Sequence, residues 1–393
     1  MEFKIKWSGK SIEYTEEEIN AVVGVMRNGD PQTQGKYLQQ FEADFSKYLQ
    51  GQPCFGVTNA THALELIADL IDLKPGDEVI IPGHTYCASA IPFARKGVKI
   101  IWADLDPDTF LVNKEIIEKL ITNRTKAIVV VHLYGMIIPD IENISNLAKS
   151  YNIKLVEDCA QALGAVLNGK PVGTFGDFAA YSFHGQKNIT TLGEGGILTL
   201  KDLNLVKLIP GLRHNGHAPF QNKTEYWKPA MSNVDLDMAG IWPHNFSLTE
   251  AQAALGSVLL KRLDSLTKLR RNRANRFRES FNDFPELKFQ RIDKEESHSH
   301  HLLAVKFIGK NNKNRDDLIS LLSKKFGIQA IVQYYPLYRY DLFKKMNLSD
   351  ADCPEVDNFF DNMISLPFHI WLSDIDFDYM IESVQKAILE LRS

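Results

Sequence analysis

The chain has 393 residues, 44% of them hydrophobic and 24% charged, with a formal net charge of −4. That length suits a large domain plus a smaller one, with the composition of an ordinary soluble enzyme and ample core. The weak acidic balance argues against a broad nucleic-acid or anionic-membrane surface, and no apolar run approaches the ~20 residues of a membrane span.

Helical periodicity opens the chain over residues 15–30 and 37–49, with Val22, Val23 and Met26 on one face and Phe41, Phe45 and Tyr48 on another. An alternation follows. FGVT (55–58) reads as a strand running into the helix THALELIADLI, and KPGDE (74–78) is a turn before the strand VIIP (79–82). SAIPFARKG is helical and VKIIWAD (98–104) a strand; EIIEKLI is a helix and KAIVVVHLYG (126–135) a strand. IENISNLAKSYN is a helix and IKLVED (153–158) a strand. Strands apolar on both faces, separated by helices, predict a mostly parallel sheet covered by helices, hence an α/β fold. GAVLNGKPVGTFGDFAAYSF reads as a hairpin and a strand. Residues 249–281 predict one long helix or two joined ones, linking a large domain (1–250) to a small α+β domain (251–393). That tail offers a strand (HLLAVKFIG), a helix (RDDLISLLSKKFG), a strand (IQAIVQYY) and a final helix (FDYMIESVQKAILELR).

Two positions carry the chemical signal. Lys187 lies on a turn between apolar strands, among Asn188, Thr190, Thr191, Gly193, Gly195 and Gly196. Asp158 ends the strand IKLVED, 29 positions upstream. An amine for an aldehyde and an anion for a ring nitrogen suit pyridoxal 5'-phosphate (PLP). Attack on the aldehyde requires a neutral amine, so the lysine pKa must fall from about 10.4, which desolvation beside a cationic ring achieves. Two readings stay open for Asp158: holding a protonated pyridine nitrogen, or capping the helix suggested by AQAL. Gln161 either donates to the ring's phenolate oxygen or faces solvent. TNAT (58–61) starts a helix, so the N–H groups of Ala60 and Thr61 and the Thr61 hydroxyl suit a phosphate, as does Ser182; a plain cap is the alternative. Tyr86 either stacks on the cofactor ring or belongs to the core.

Four other features point to no further chemistry. HSHH (298–301) has no accompanying ligand pattern, and Cys54, Cys87, Cys159 and Cys353 match no zinc or redox spacing. No metal is expected, and the thiols read as free in a reducing cytoplasm. The opening MEFKIKWSGKSIEY has no signal-peptide h-region, which also predicts a cytoplasmic protein. RRNRANRFR (270–278) reads as a solvated helix face.

Taken together, TNATHALELI, KPGDEVIIPGHTYCASA, IIWADLDPDTF, VEDCAQALGA, SFHGQKNITTLGEGG and HNFSLTEAQAALGSVLLKRLD resemble, in order and spacing, the DegT/DnrJ-type sugar aminotransferases. The resemblance covers nearly the whole chain. It implies the aspartate aminotransferase-like fold of PLP enzymes (fold type I). It implies that Lys187 forms the internal aldimine and shuttles the proton, that Asp158 pairs with the pyridinium, Gln161 with the phenolate oxygen, and that Tyr86 stacks. It implies that Ala60, Thr61, Ser182 and Asn245 hold phosphate, with Asn245 serving the neighbouring subunit of a homodimer. The donor would be glutamate or glutamine and the acceptor a keto sugar of the nucleotide-linked kind used in amino-sugar biosynthesis. The chain departs from the family at Ser247, where a basic residue is usual, at Gln333 in place of the histidine of His-Tyr-x-Pro, and at Gly35–Lys36. Related proteins include dehydratases, which carry histidine at the lysine position, and regulators on the same scaffold.

Overall fold

In the computed structural model, which describes residues 2–217, 234 and 236–392, one seven-stranded sheet carries the site. The strands, in chain order, are β1 (Cys54–Val57), β2 (Glu78–Pro82), β3 (Lys99–Ala103), β4 (Thr125–Val131), β5 (Lys154–Asp158), a small hairpin of β6 (Val166–Leu167) and β7 (Lys170–Pro171), then β8 (Phe178–Ser182) and β9 (Gly196–Leu200). Their order across the sheet is β1-β9-β8-β5-β4-β2-β3. β9 runs antiparallel to β1 and β8, and the other neighbours are parallel. β2, β8 and β9 are buried along their whole length, as helices on both faces require. β2 and β3 are consecutive neighbours, but β4 returns to the other side of β2. Such a reversal opens a crevice at the carboxyl ends of the strands, where α/β sheets bind ligands.

A second sheet of β10 (Leu287–Lys288), β11 (Leu303–Phe307) and β12 (Met363–Leu366) is antiparallel. It packs a separate hydrophobic cluster with Phe277, Leu318, Leu322, Phe377 and Val384. Between the sheets runs the predicted long helix, Glu250–Glu279, unbroken, with Thr249 and Gln252 forming a capping box at its start.

Three expectations are corrected. The strand at 126–135 stops at Val131, and residues 133–135 form a tight turn in which Tyr134 takes φ 62°. IQAIVQYY is no regular strand; it contributes two isolated bridges, Ile328 with Ile5 and Ile331 with Ser365, and passes beside the site. RRNRANRFR is not a solvated face. Arg270 is 1% exposed, and Arg273 donates to the carbonyls of His369 and Leu372, Arg278 to that of Gln290. The guanidinium forks saturate chain ends that lack other donors.

Candidate active site

The segment joining β8 to β9 is a knot of short-range bonds. Phe183 N–H donates to Gly195 and Gly185 N–H to Gly193, while Lys187 N–H donates to His184. The small polar residues beside the lysine cross-brace it: the Thr190 hydroxyl donates to Phe183, the Thr191 hydroxyl to Glu194, and the Asn188 amide to Leu163. Ser11 binds the Lys187 carbonyl from the N-terminal segment. The lysine is therefore presented from a fixed backbone. Desolvation lowers its pKa to about 8, and the nearby Asp158 carboxylate opposes that shift only in part.

Asp158 ends β5 and is 5% exposed. Its Oδ1 accepts the Ala160 N–H at 3.0 Å, closing a turn where a helix was one expectation. Its Oδ2 accepts the Ser89 hydroxyl at 2.7 Å, and Ser89 is in turn 2.9 Å from the Thr85 hydroxyl. One protein donor on each oxygen leaves a carboxylate with lone pairs for a further N–H.

Gln161 is buried and bridges two tyrosines: Oε1 accepts the Tyr134 N–H at 2.8 Å, and Nε2 donates to the Tyr334 hydroxyl at 3.0 Å. The Tyr134 hydroxyl donates to the Gln333 carbonyl at 2.7 Å. Tyr86 is 54% exposed and meets Tyr334 edge-on at 5.8 Å. The helix Ala60–Leu70 starts at the end of β1, capped by Asn59, whose side chain accepts the His62 N–H at 2.9 Å. Ala60 and Thr61 occupy its first turn, where N–H groups have no intrahelical acceptor.

These groups converge. A cavity of about 240 Å³ is lined by Ala60, Thr61, Tyr86, Asp158, Gln161, Ser182 and Lys187 together. Its wall also includes Asn59, Thr85, Glu194, Gln186, Gln333 and Tyr334. Asn245 is not brought into it: it is exposed and pairs by backbone with His214. Ser247 bonds the His214 ring at 2.9 Å and accepts from Gln34 at 3.1 Å. Of the loop LRHNGHAPF, residues 218–220 lie outside the described residues. Ser89, Tyr134 and Tyr334 are site residues that sequence reasoning missed. Their partners lie 27 to 173 positions away, so only the four-residue step from Thr85 to Ser89 offered any local signal.

The cavity fits a pyridoxal-type cofactor on its own chemistry: an amine made partly neutral, an acid with acceptor capacity to spare, and a helix start for an anion. Among the described residues, side chains with metal-ligand spacing meet at His132, Glu157 and Cys159. Glu157 already accepts His132 Nε2 at 2.9 Å and the N–H groups of Gly173, Phe175 and Gly176. That cluster ties down the 173–176 loop. His298 and His300 stack at 3.8 Å, and His298 pairs with Gln290.

The model of the DegT/DnrJ/EryC1/StrS aminotransferase family matches residues 13–385. The chain is 32% identical over 353 residues to the dTDP-3-amino-3,6-dideoxy-alpha-D-galactopyranose transaminase of Aneurinibacillus thermoaerophilus, covering 90% of each chain. It is 31% identical over 367 residues to the GDP-perosamine synthase of Caulobacter vibrioides, covering 90% of this chain and 91% of that one. The PMP-form structure of a putative sugar aminotransferase, Spr1654 from Streptococcus pneumoniae, superposes with a TM-score of 0.87 at 30% identity, covering 99% of this chain and 100% of that one. The chain belongs to the DegT/DnrJ/EryC1/StrS aminotransferase family, PLP-dependent transaminases of fold type I.

Proposed function

We propose that this protein moves the amino group of glutamate or glutamine to a keto sugar carried on a nucleotide. The observation that supports it most is a lysine with a pKa near 8 sharing one cavity with Asp158 and a helix start. The cofactor, when bound, supplies an electron sink for the carbanion at the substrate carbon. Lys187 would supply the amine that holds the aldehyde and would take the α-proton from the donor carbon. Asp158 keeps the ring nitrogen protonated, and Gln161 donates to the phenolate oxygen. Tyr86 covers a ring face. Ala60, Thr61 and Ser182 hold the phosphate with neutral donors, joined by Asn245 of the partner subunit. In this reading residues 1–250 form the cofactor-binding domain and 251–393 the smaller one, in a cytoplasmic homodimer. No helix among the described residues is long and apolar enough to cross a membrane.

The test is a panel of nucleotide-linked keto sugars with glutamate and glutamine as donors, followed by mass spectrometry. Gain of an amine on one sugar is expected, together with a visible cofactor band that borohydride bleaches with label on Lys187. Loss of water from a 4-keto-6-deoxy sugar would mean dehydration instead. A protein left colourless after PLP and dialysis ends the proposal.

A further inference from the structure

A smaller cavity of about 50 Å³ adjoins the first, and Gln186, Lys187, Gln333 and Tyr334 line both. Its far wall includes His301 and His369, which are 4% and 6% exposed. Three buried polar atoms of these wall residues have no hydrogen-bond partner among the described residues: His301 Nδ1, His369 Nδ1 and Gln333 Oε1. A buried polar atom left unpartnered keeps its full desolvation penalty, so three around a single cavity point to a polar guest.

The charge of the wall says which guest. It contains Lys10 and Lys187 and no acid. Lys10 also meets the exposed Glu13 at 3.3 Å. Behind the wall lies Arg270, 1% exposed, with Nε and Nη2 unpartnered and Nη1 on the carbonyls of His300 and His301 at 3.4 and 3.5 Å. Burial lowers the pKa of both His301 and His369, and nearby positive charge adds to it, from Lys187 and Arg270 at His301 and from Arg273 and Arg270 at His369, so both imidazoles are neutral near pH 7. A neutral imidazole carries one N–H donor. A buried guanidinium without a carboxylate is an uncompensated charge, which an arriving anion would relieve. His301 is also pinned to the site, its N–H donating to Tyr134 at 3.0 Å.

We propose that this cavity receives the α-carboxylate of the amino-acid donor, held by the ring N–H groups of His301 and His369 and by the side-chain N–H of Gln333, whose Oε1 stays an acceptor for the donor's amine, in the field of Lys10 and Arg270. The inference rests on the transaminase reading above. In an α-amino acid the carboxylate sits on the carbon that bears the reacting amine, and Lys187 stands where the two cavities join.

The test titrates the PLP-loaded enzyme with 2-aminoisobutyrate, which has an amine and an α-carboxylate but no α-hydrogen, and with isopropylamine, which has no carboxylate. In His301→Leu and His369→Leu the first should bind about tenfold weaker or worse, while the second stays within about twofold. Equal losses for both amines, or no loss for either, overturn the proposal. Calorimetry of the cofactor-free protein with glutarate, in phosphate buffer, reads carboxylate capture without the cofactor. About tenfold weakening is expected there too, and unchanged affinity counts against the subsite. A protein that never takes up colour sinks the transaminase reading alone, and the glutarate arm still judges the cavity. Should a histidine variant fail to fold, Gln333→Leu and Lys10→Met carry the same comparison.

Discussion

At Lys187 the needs of chemistry and of folding oppose each other. Burial removes water from the ammonium, and the Asp158 carboxylate returns only part of what is lost, leaving a pKa near 8. An unfolded lysine keeps its proton to about 10.4. Below pH 8 both states are protonated, and the folded state bears the whole penalty. Between 8 and 10.4 the unfolded state binds more protons, so stability rises with pH; above that window the penalty is gone. Lys187→Met should therefore abolish turnover yet stabilise the cofactor-free fold at pH 7 by on the order of 2 kcal/mol, about a few degrees in melting temperature. The gain should shrink as pH rises through 8 to 10. Melting curves of both proteins across that range check it, and a gain independent of pH would refute the account of a desolvated ammonium.

Among the elements, the helix Ala60–Leu70 and strand β9 meet at one point that sets the anion site. A Cβ on Gly196 would come within 2.5 Å of the Asn59 carbonyl carbon and 2.7 Å of the Ala60 nitrogen. Only hydrogen fits there, so the helix start can lie directly on the strand beside Ser182, which pairs with Gly196. Gly196→Ala should push the first turn outward, cost about 1–3 kcal/mol of stability and weaken PLP about tenfold, while pyridoxal without phosphate binds as before. Equal effects on the two ligands, read by equilibrium dialysis, would move the defect away from the phosphate. This junction was legible in TNAT and in the glycines after the lysine because both signals are local. Lys187, Asp158, Gln161 and Tyr86 were legible for the same reason, each lying in a short motif next to a strand end. What stayed hidden depends on distant partners. β4 stops early because the Tyr134 N–H turns to Gln161. IQAIVQYY has strand composition, but among the described residues its pairing is limited to two isolated bridges, Ile328 with Ile5 and Ile331 with Ser365. The arginines of 270–278 looked solvated because nothing in sequence shows that carbonyls near residues 290, 300 and 370 lack donors.

For the molecule as a whole, the informative fact is where Asn245 is not. It is exposed and outside the cavity of its own chain, on a segment that also exposes Trp242 by 78%. Tyr86, in the cavity wall, and Leu192, two positions before the wall residue Glu194, are exposed by 54% and 50%. Large apolar side chains left open on both segments suit a face covered by a second copy, and a two-fold axis would bring each copy's Asn245 segment to the other's cavity. A site divided in this way has a stoichiometric signature. Lys187→Ala lacks the amine, and Asn245→Asp places a negative charge against the phosphate, so each homodimer should be inactive. Mixed and refolded in equal amounts, half of the dimers are heterodimers. In each of these one site has both residues intact, supplied by opposite subunits, and the other has neither. Activity should return to about a quarter of the wild-type value. If Asn245 served the cavity of its own chain, every site in the mixture would lack one group or the other, and no activity would return.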